Sequence, residues 1–122
     1  MNYIKKIAVF TGTRAEYGLM RTLIKKIDQD TNLELFLLIT STHLDSKFGR
    51  TIDEIKNDGI ALDYLLPISI DTKDRKDMAN QTAETIKLVS QVLEGIKPDF
   101  LIILGDRFES FGAATSAHLL GI

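Results

Sequence analysis

The chain has 122 residues, a formal net charge of −2, 44% hydrophobic residues, no cysteine and two histidines. That length and balance predict one domain with one core, and exclude disorder, a disulfide framework, a thiolate or histidine-rich metal site and the clustered basic groove of a nucleic-acid binder. No apolar run reaches the roughly 18 residues of a membrane span, and the start, Met-Asn-Tyr-Ile-Lys-Lys, lacks the apolar segment of a signal peptide, so the expected location is cytoplasmic.

Residues 4–10 are a short β-branched run, apolar at nearly every position, which predicts a buried strand. After Thr11-Gly12-Thr13-Arg14-Ala15-Glu16-Tyr17-Gly18, residues Met20, Leu23, Ile24 and Ile27 recur at helical spacing. A second strand is predicted over residues 33–39, followed by Ser41-Thr42-His43-Leu44-Asp45. Residues 52–57 read as a short helix stopped by Asp58-Gly59, and residues 61–66 as a weaker strand. Residues 68–76 are polar and read as a solvated loop. Met78, Thr82, Ile86, Val89, Leu93 and Ile96 trace a long helix that stops near Gly95, with Pro98 beyond it. A strand over residues 100–104 and a helix over about 107–120, closed by Gly121, complete the pattern. Ile122 would open a fifth strand, so the chain reads as the beginning of a longer protein.

Three helix starts share one signature. Thr13-Arg-Ala-Glu16, Thr51-Ile-Asp-Glu54 and Asp106-Arg-Phe-Glu109 each place a side-chain acceptor three residues before Glu, the spacing of a reciprocal cap. Strands without polar alternation have both faces covered, as in a parallel sheet. Strand and helix in alternation predict a doubly wound α/β fold.

Ligands of such sheets bind beyond the carboxyl ends of the strands, where three segments lie. In the first, free amides at a helix start attract anions, Gly12 allows close approach to the backbone, and Arg14 offers a fork matched to phosphate oxygens. The alternative is a capped turn with Arg14 in solvent. The spacing is not GxGxxG, which argues against a dinucleotide site. In the segment Gly105-Asp106-Arg107-Phe108-Glu109, Asp106 is either a helix cap or a carboxylate for acid–base work, with Arg107 beside it on a phosphate. In the remaining segment, His43 either transfers a proton or holds a ligand, or does neither. His118 reads as structural. Asp71, Asp74 and Asp77 lack the glycine and closing glutamate of a calcium loop and read as charged surface.

Taken in order, Thr-Gly-Thr-Arg-Ala-Glu-Tyr-Gly-Leu-Met-Arg, Thr42-His43-Leu44, Phe48-Gly49-Arg50-Thr51, Asp58-Gly59 and Gly-Asp-Arg-Phe-Glu resemble the hydrolysing UDP-N-acetylglucosamine 2-epimerases, the NeuC-like enzymes of sialic acid synthesis. The resemblance covers essentially the whole chain. It implies a Rossmann-like fold, the first part of the N-terminal domain of a two-domain enzyme similar to GT-B glycosyltransferases, with the C-terminal domain outside residues 1–122. It implies a UDP-sugar substrate, association as dimers or higher oligomers, and no cofactor, metal, nucleic acid or membrane partner. The implied reaction removes the C2 proton as UDP leaves C1, forms a glycal and adds water. By the resemblance, Asp106 and His43 belong to the catalytic site, and Gly12, Arg14, Gly18 and Arg107 to the UDP site. Ala15 and Arg107 stand where the non-hydrolysing relatives have proline and threonine, which favours the hydrolysing branch.

Two alternatives stand beside this one. The same motifs serve enzymes acting on UDP-2,4-diacetamido-trideoxy sugars that lead to legionaminic acid. Thr11-Gly12-Thr13 also suggests a flavodoxin-like electron-transfer module, although Arg14-Ala15-Glu16 and the absence of Trp fit it poorly. A receiver-type signalling domain would need paired acids after the first strand, and none is present there.

Overall fold

The computed structural model describes residues 3–44, 51–69 and 71–122. Strand β1 spans Lys5–Thr11, helix α1 Arg14–Gln29 and strand β2 Leu33–Thr40. A 3-10 turn at Ser41–Leu44 precedes helix α2, Thr51–Asn57, and strand β3, Tyr64–Leu66. Helix α3, Arg75–Ile96, strand β4, Phe100–Ile102, and helix α4, Phe108–Leu119, follow. The four strands form one sheet in the order β3-β2-β1-β4, parallel at every pairing. The expected doubly wound α/β arrangement is therefore the observed one. Phe48, Gly49, Arg50 and Asp45 lie outside the described residues.

The unbroken apolar run of β1 has a direct cause. Successive side chains point to opposite faces, and each face has its own core. Ile7 and Val9 join Tyr17, Met20, Ile24 and Ile27 of α1 and Ile52 and Ile55 of α2. Ala8 and Phe10 join Val89, Leu93 and Ile96 of α3 and Ala113 and Ala117 of α4. On α1 the stripe begins at Tyr17, and Leu23 lies at its flank with 44% of its surface exposed. On α3, Thr85 is buried where the spacing suggested Ile86, because α4 crosses closely there. A methyl on Gly112 would sit 2.9 Å from the Thr85 Cγ2 atom, and the Ser116 hydroxyl donates to the Ile86 carbonyl at 3.0 Å.

Two strands are shorter than expected, at residues 64–66 and 100–102. The capping pattern also needs correction at two of its three places. Thr51 lies within α2 rather than at a cap position, and among the described residues its buried hydroxyl has no partner. Asp106 does not cap α4: the cap position is Arg107, which makes no side-chain cap bond. A cap that the spacing did not announce opens α3, where Asp74 accepts from the Asp77 amide at 2.8 Å and Asp77 accepts from the Lys73 amide at 3.0 Å. The acids at 74 and 77 are thus a reciprocal helix start.

Helix α3 runs past Gly95 and ends on Lys97, whose φ of 53° is left-handed. A side chain is unfavourable in that region. Lys97→Gly is expected to stabilise the fold by about 0.5–1 kcal/mol. The check is a higher denaturant midpoint at an unchanged slope. Gly121 closes α4 with a φ of 75°, as expected from its position.

Candidate functional site at the carboxyl edge of the sheet

The strand order reverses between β1 and β4, and in open parallel sheets ligands bind in the crevice at the carboxyl ends beside such a reversal. The loop after β1 and the loop after β4 flank it. Thr13 caps α1, its hydroxyl accepting from the Glu16 amide at 3.1 Å. The Glu16 carboxylate reaches back to the Gly12 amide at 3.0 Å, one residue beyond the cap. From the other side the Thr40 hydroxyl donates to the Gly12 carbonyl at 3.0 Å, and His43 Nε2 lies 3.1 Å from the Thr11 carbonyl. Since that carbonyl only accepts, Nε2 carries the proton. The backbone of Thr11 and Gly12 is thereby held by three side chains.

The loop after β4 meets this one through two buried glutamates. The Ser110 hydroxyl donates to Glu16 Oε1 at 3.2 Å. Glu109 is fully buried, accepts from Arg107 Nε through Oε1 at 2.8 Å, and among the described residues has no partner at Oε2. Burial pushes its carboxyl above the ordinary range, and Arg107 opposes that shift. A methyl on Gly12 would stand 2.7 Å from Glu109 Cγ and 3.2 Å from Glu16 Oε2. In the sequence alone, the smallness of Gly12 suggests a ligand's approach. The structure assigns it to these two side chains, and the Gly12 amide is already engaged. The first-turn amides that no described side chain caps are those of Arg14 and Ala15.

Asp106 and Arg107 are both exposed in the loop after β4, just after Gly105 at a φ of 86°. Arg107 pairs with Glu109 rather than with the neighbouring Asp106. Arg14 is 58% exposed and pairs with Glu54 of α2 at 3.0 Å. An exposed pair of this kind contributes little stability, so Arg14 can exchange Glu54 for a ligand. Gly18 lies one turn into α1 on its exposed side, with open space around its Cα. His43 is 1% exposed. Burial lowers its pKa, which favours the neutral ring, and Nε2 is turned to the first loop's backbone. The structure therefore brings Gly12, Arg107 and Asp106 to one edge with Arg14 nearby. It sets His43 beneath them. His118 is exposed in the last turn of α4. Among the described residues no group of acids and histidines is arranged to hold a metal, and no helix is long and apolar enough to cross a membrane.

One cluster joins residues of two separate family motifs, and no local pattern pairs them. Asp58 accepts from the Tyr17 hydroxyl at 2.5 Å and from Arg21 Nε and Nη2 at 2.8 and 2.6 Å, tying α1 to the end of α2. Arg21 and Tyr17 hold the Asp58 carboxyl down to about 2. An unfolded aspartate titrates near 4, so this network stabilises the fold fully above about pH 4 and is lost as pH falls through about 2. Asp58→Asn is expected to lower the melting temperature at pH 6. The gap from the unsubstituted protein should close towards pH 2, as followed by circular dichroism.

Residues 25–122 match the sequence profile of the UDP-N-acetylglucosamine 2-epimerases. The chain is 36% identical over 119 residues to a hydrolysing UDP-N,N'-diacetylbacillosamine 2-epimerase of Legionella pneumophila, covering 98% of this chain and 32% of that protein. It is 34% identical over 115 residues to a UDP-N-acetylglucosamine 2-epimerase of Neisseria meningitidis, covering 93% and 30%. The solved structure of a Neisseria meningitidis enzyme bound to UDP-N-acetylglucosamine superposes with a TM-score of 0.78 at 27% identity, over 98% of this chain and 30% of that one. The chain thus spans about 30% of the length of such relatives. None of these matches supports the flavodoxin-like reading.

Proposed function

Because the chain belongs to the UDP-N-acetylglucosamine 2-epimerase family, we propose that it supplies part of the UDP-sugar site of a hydrolysing 2-epimerase. The observation that carries this reading is the junction of the two loops at the strand-order reversal. There Gly12 packs on Glu109, and Arg107 and Asp106 are exposed in the loop after β4. Arg14 and Arg107 supply cationic forks for the diphosphate, and the first-turn amides of α1 add donors. Both stabilise the charge that develops as UDP departs.

In this mechanism a base takes the C2 proton, and the C–H electron pair becomes the C1–C2 double bond. The C1–O bond breaks and its pair leaves with UDP. Water then adds to the glycal, its hydroxyl at C1 and a proton at C2 on the opposite face. The C2 proton is weakly acidic, which is why a positioned carboxylate is needed. Asp106 takes that role or orients the group that does. The remaining groups of the cleft would come from a C-terminal domain, in a GT-B-like enzyme of the cytoplasm that assembles as a homo-oligomer. His43 serves the same site by holding the Thr11 carbonyl.

Two substrates fit the comparisons: UDP-N-acetylglucosamine, giving N-acetylmannosamine for nonulosonic acid synthesis, and a UDP-diacetamido-trideoxyhexose of the legionaminic type. The name of the Legionella relative favours the second. The test is incubation of the full-length protein with each in deuterated water, followed by phosphorus and proton NMR. Free UDP with a product deuterated at C2 supports the reaction and identifies the sugar. Both substrates returned intact would overturn it.

A further inference from the structure

Arg107 is a long side chain with 49% of its surface exposed, yet its guanidinium is anchored at one point. That point is the Nε–H donating to Glu109 Oε1 at 2.8 Å. An arginine held this way keeps its two terminal nitrogens, and most of its donors, directed outwards. Among the described residues nothing else engages them. Glu109 is itself placed by the first loop: its Cγ lies where a methyl on Gly12 would need to be, at 2.7 Å. It has no exposed surface, and among the described residues its second oxygen has no partner. A buried carboxylate is costly unless it is paired. Retaining one here, half satisfied, points to a task beyond folding.

We propose that Glu109 is a positioning residue for the UDP site: by accepting the Arg107 Nε–H it fixes that guanidinium against the Gly12 loop, so that its terminal nitrogens are already aimed at the diphosphate. The inference rests on the UDP-sugar reading above. It adds a link between the two loops: the glycine of one seats the acid that orients the arginine of the other. The acid does not touch the substrate. Its effect is on the freedom Arg107 loses on binding, which for a long side chain corresponds to about ten-fold in affinity.

The test is calorimetric titration of UDP into the full-length protein. Glu109→Met removes the acceptor while keeping the side-chain volume. It is expected to weaken UDP binding about ten-fold. Glu109→Gln keeps a carbonyl oxygen for the Nε–H, and is expected to restore most of that loss. In an Arg107→Ala background, Glu109→Met is expected to change the affinity no further. If Glu109→Met binds UDP as the unsubstituted protein does, or weakens it equally without Arg107, the positioning role is overturned. Should the methionine variant not fold, the glutamine variant still decides, because a ten-fold loss there would overturn a role based on the hydrogen bond. An unsubstituted protein that does not bind UDP at all would overturn the UDP-sugar reading, and this inference with it.

Discussion

Asp106→Asn is expected to lower turnover of the full-length enzyme by about 10²–10⁴-fold, the usual range for losing a general acid–base group. UDP affinity should stay within about two-fold, since the variant keeps the shape and removes only the charge. The structure strengthens this expectation by removing the bland alternative. Asp106 does not cap α4, and Arg107, its neighbour, pairs elsewhere. It is exposed in the loop after β4. The melting temperature should therefore be unchanged. A variant with near-normal turnover would exclude Asp106 from the chemistry. A variant with a lower melting temperature would show a structural task that its position does not suggest.

Gly12→Ala is expected to have the second large effect, on both stability and binding. The added methyl would stand 2.7 Å from Glu109 Cγ and 3.0 Å from Glu109 Oε1, against two buried glutamates. Overpacking of this kind costs about 1–3 kcal/mol. The relief available is movement of the first loop away from Glu109, which would carry Arg14 and the α1 amides out of line with Arg107. The expected result is a lower denaturant midpoint together with UDP binding weaker by about ten-fold or more. Gly18→Ala is the control for stability alone, because nothing lies within 4 Å of its added methyl. In the interior of α1 that substitution should stabilise by about 0.5–1 kcal/mol. If Gly12→Ala matched it, the close approach of the two glutamates would not matter.

These two expectations draw on different layers of information. Asp106 was singled out by sequence, because a strand that delivers an acid to its carboxyl edge is a recurring site pattern. What the sequence could not separate was cap from catalyst, since both place an acid before a helix. Only the backbone at Arg107, which takes the cap position itself, distinguishes them. Gly12 was also singled out by sequence, but for a different reason. A glycine in a loop is compatible with a ligand outside it or with a side chain inside it. The side chain in question, Glu109, lies 97 positions away in a chain of 122 residues. No local pattern announces that meeting.

The strands and helices themselves were legible because each rests on short-range signals. The apolar run of β1 and the pair Asp58-Gly59 are fixed within a few residues of themselves. So is the closing Gly121. The shortening of β3 and β4, the shift of the α3 stripe to Thr85 and the end of α3 on Lys97 depend on what packs against each element. The sequence by itself determined the α/β class, the family, and three candidate segments at the carboxyl edge of the sheet. Tertiary structure alone decided how those segments are joined: Arg107 with Glu109, Glu16 with Ser110, His43 beneath Thr11, and Asp58 between Tyr17 and Arg21. The physical reason is one of range. Propensity and periodicity act over one turn or one strand, whereas a buried charge is tolerated only where distant residues happen to close around it.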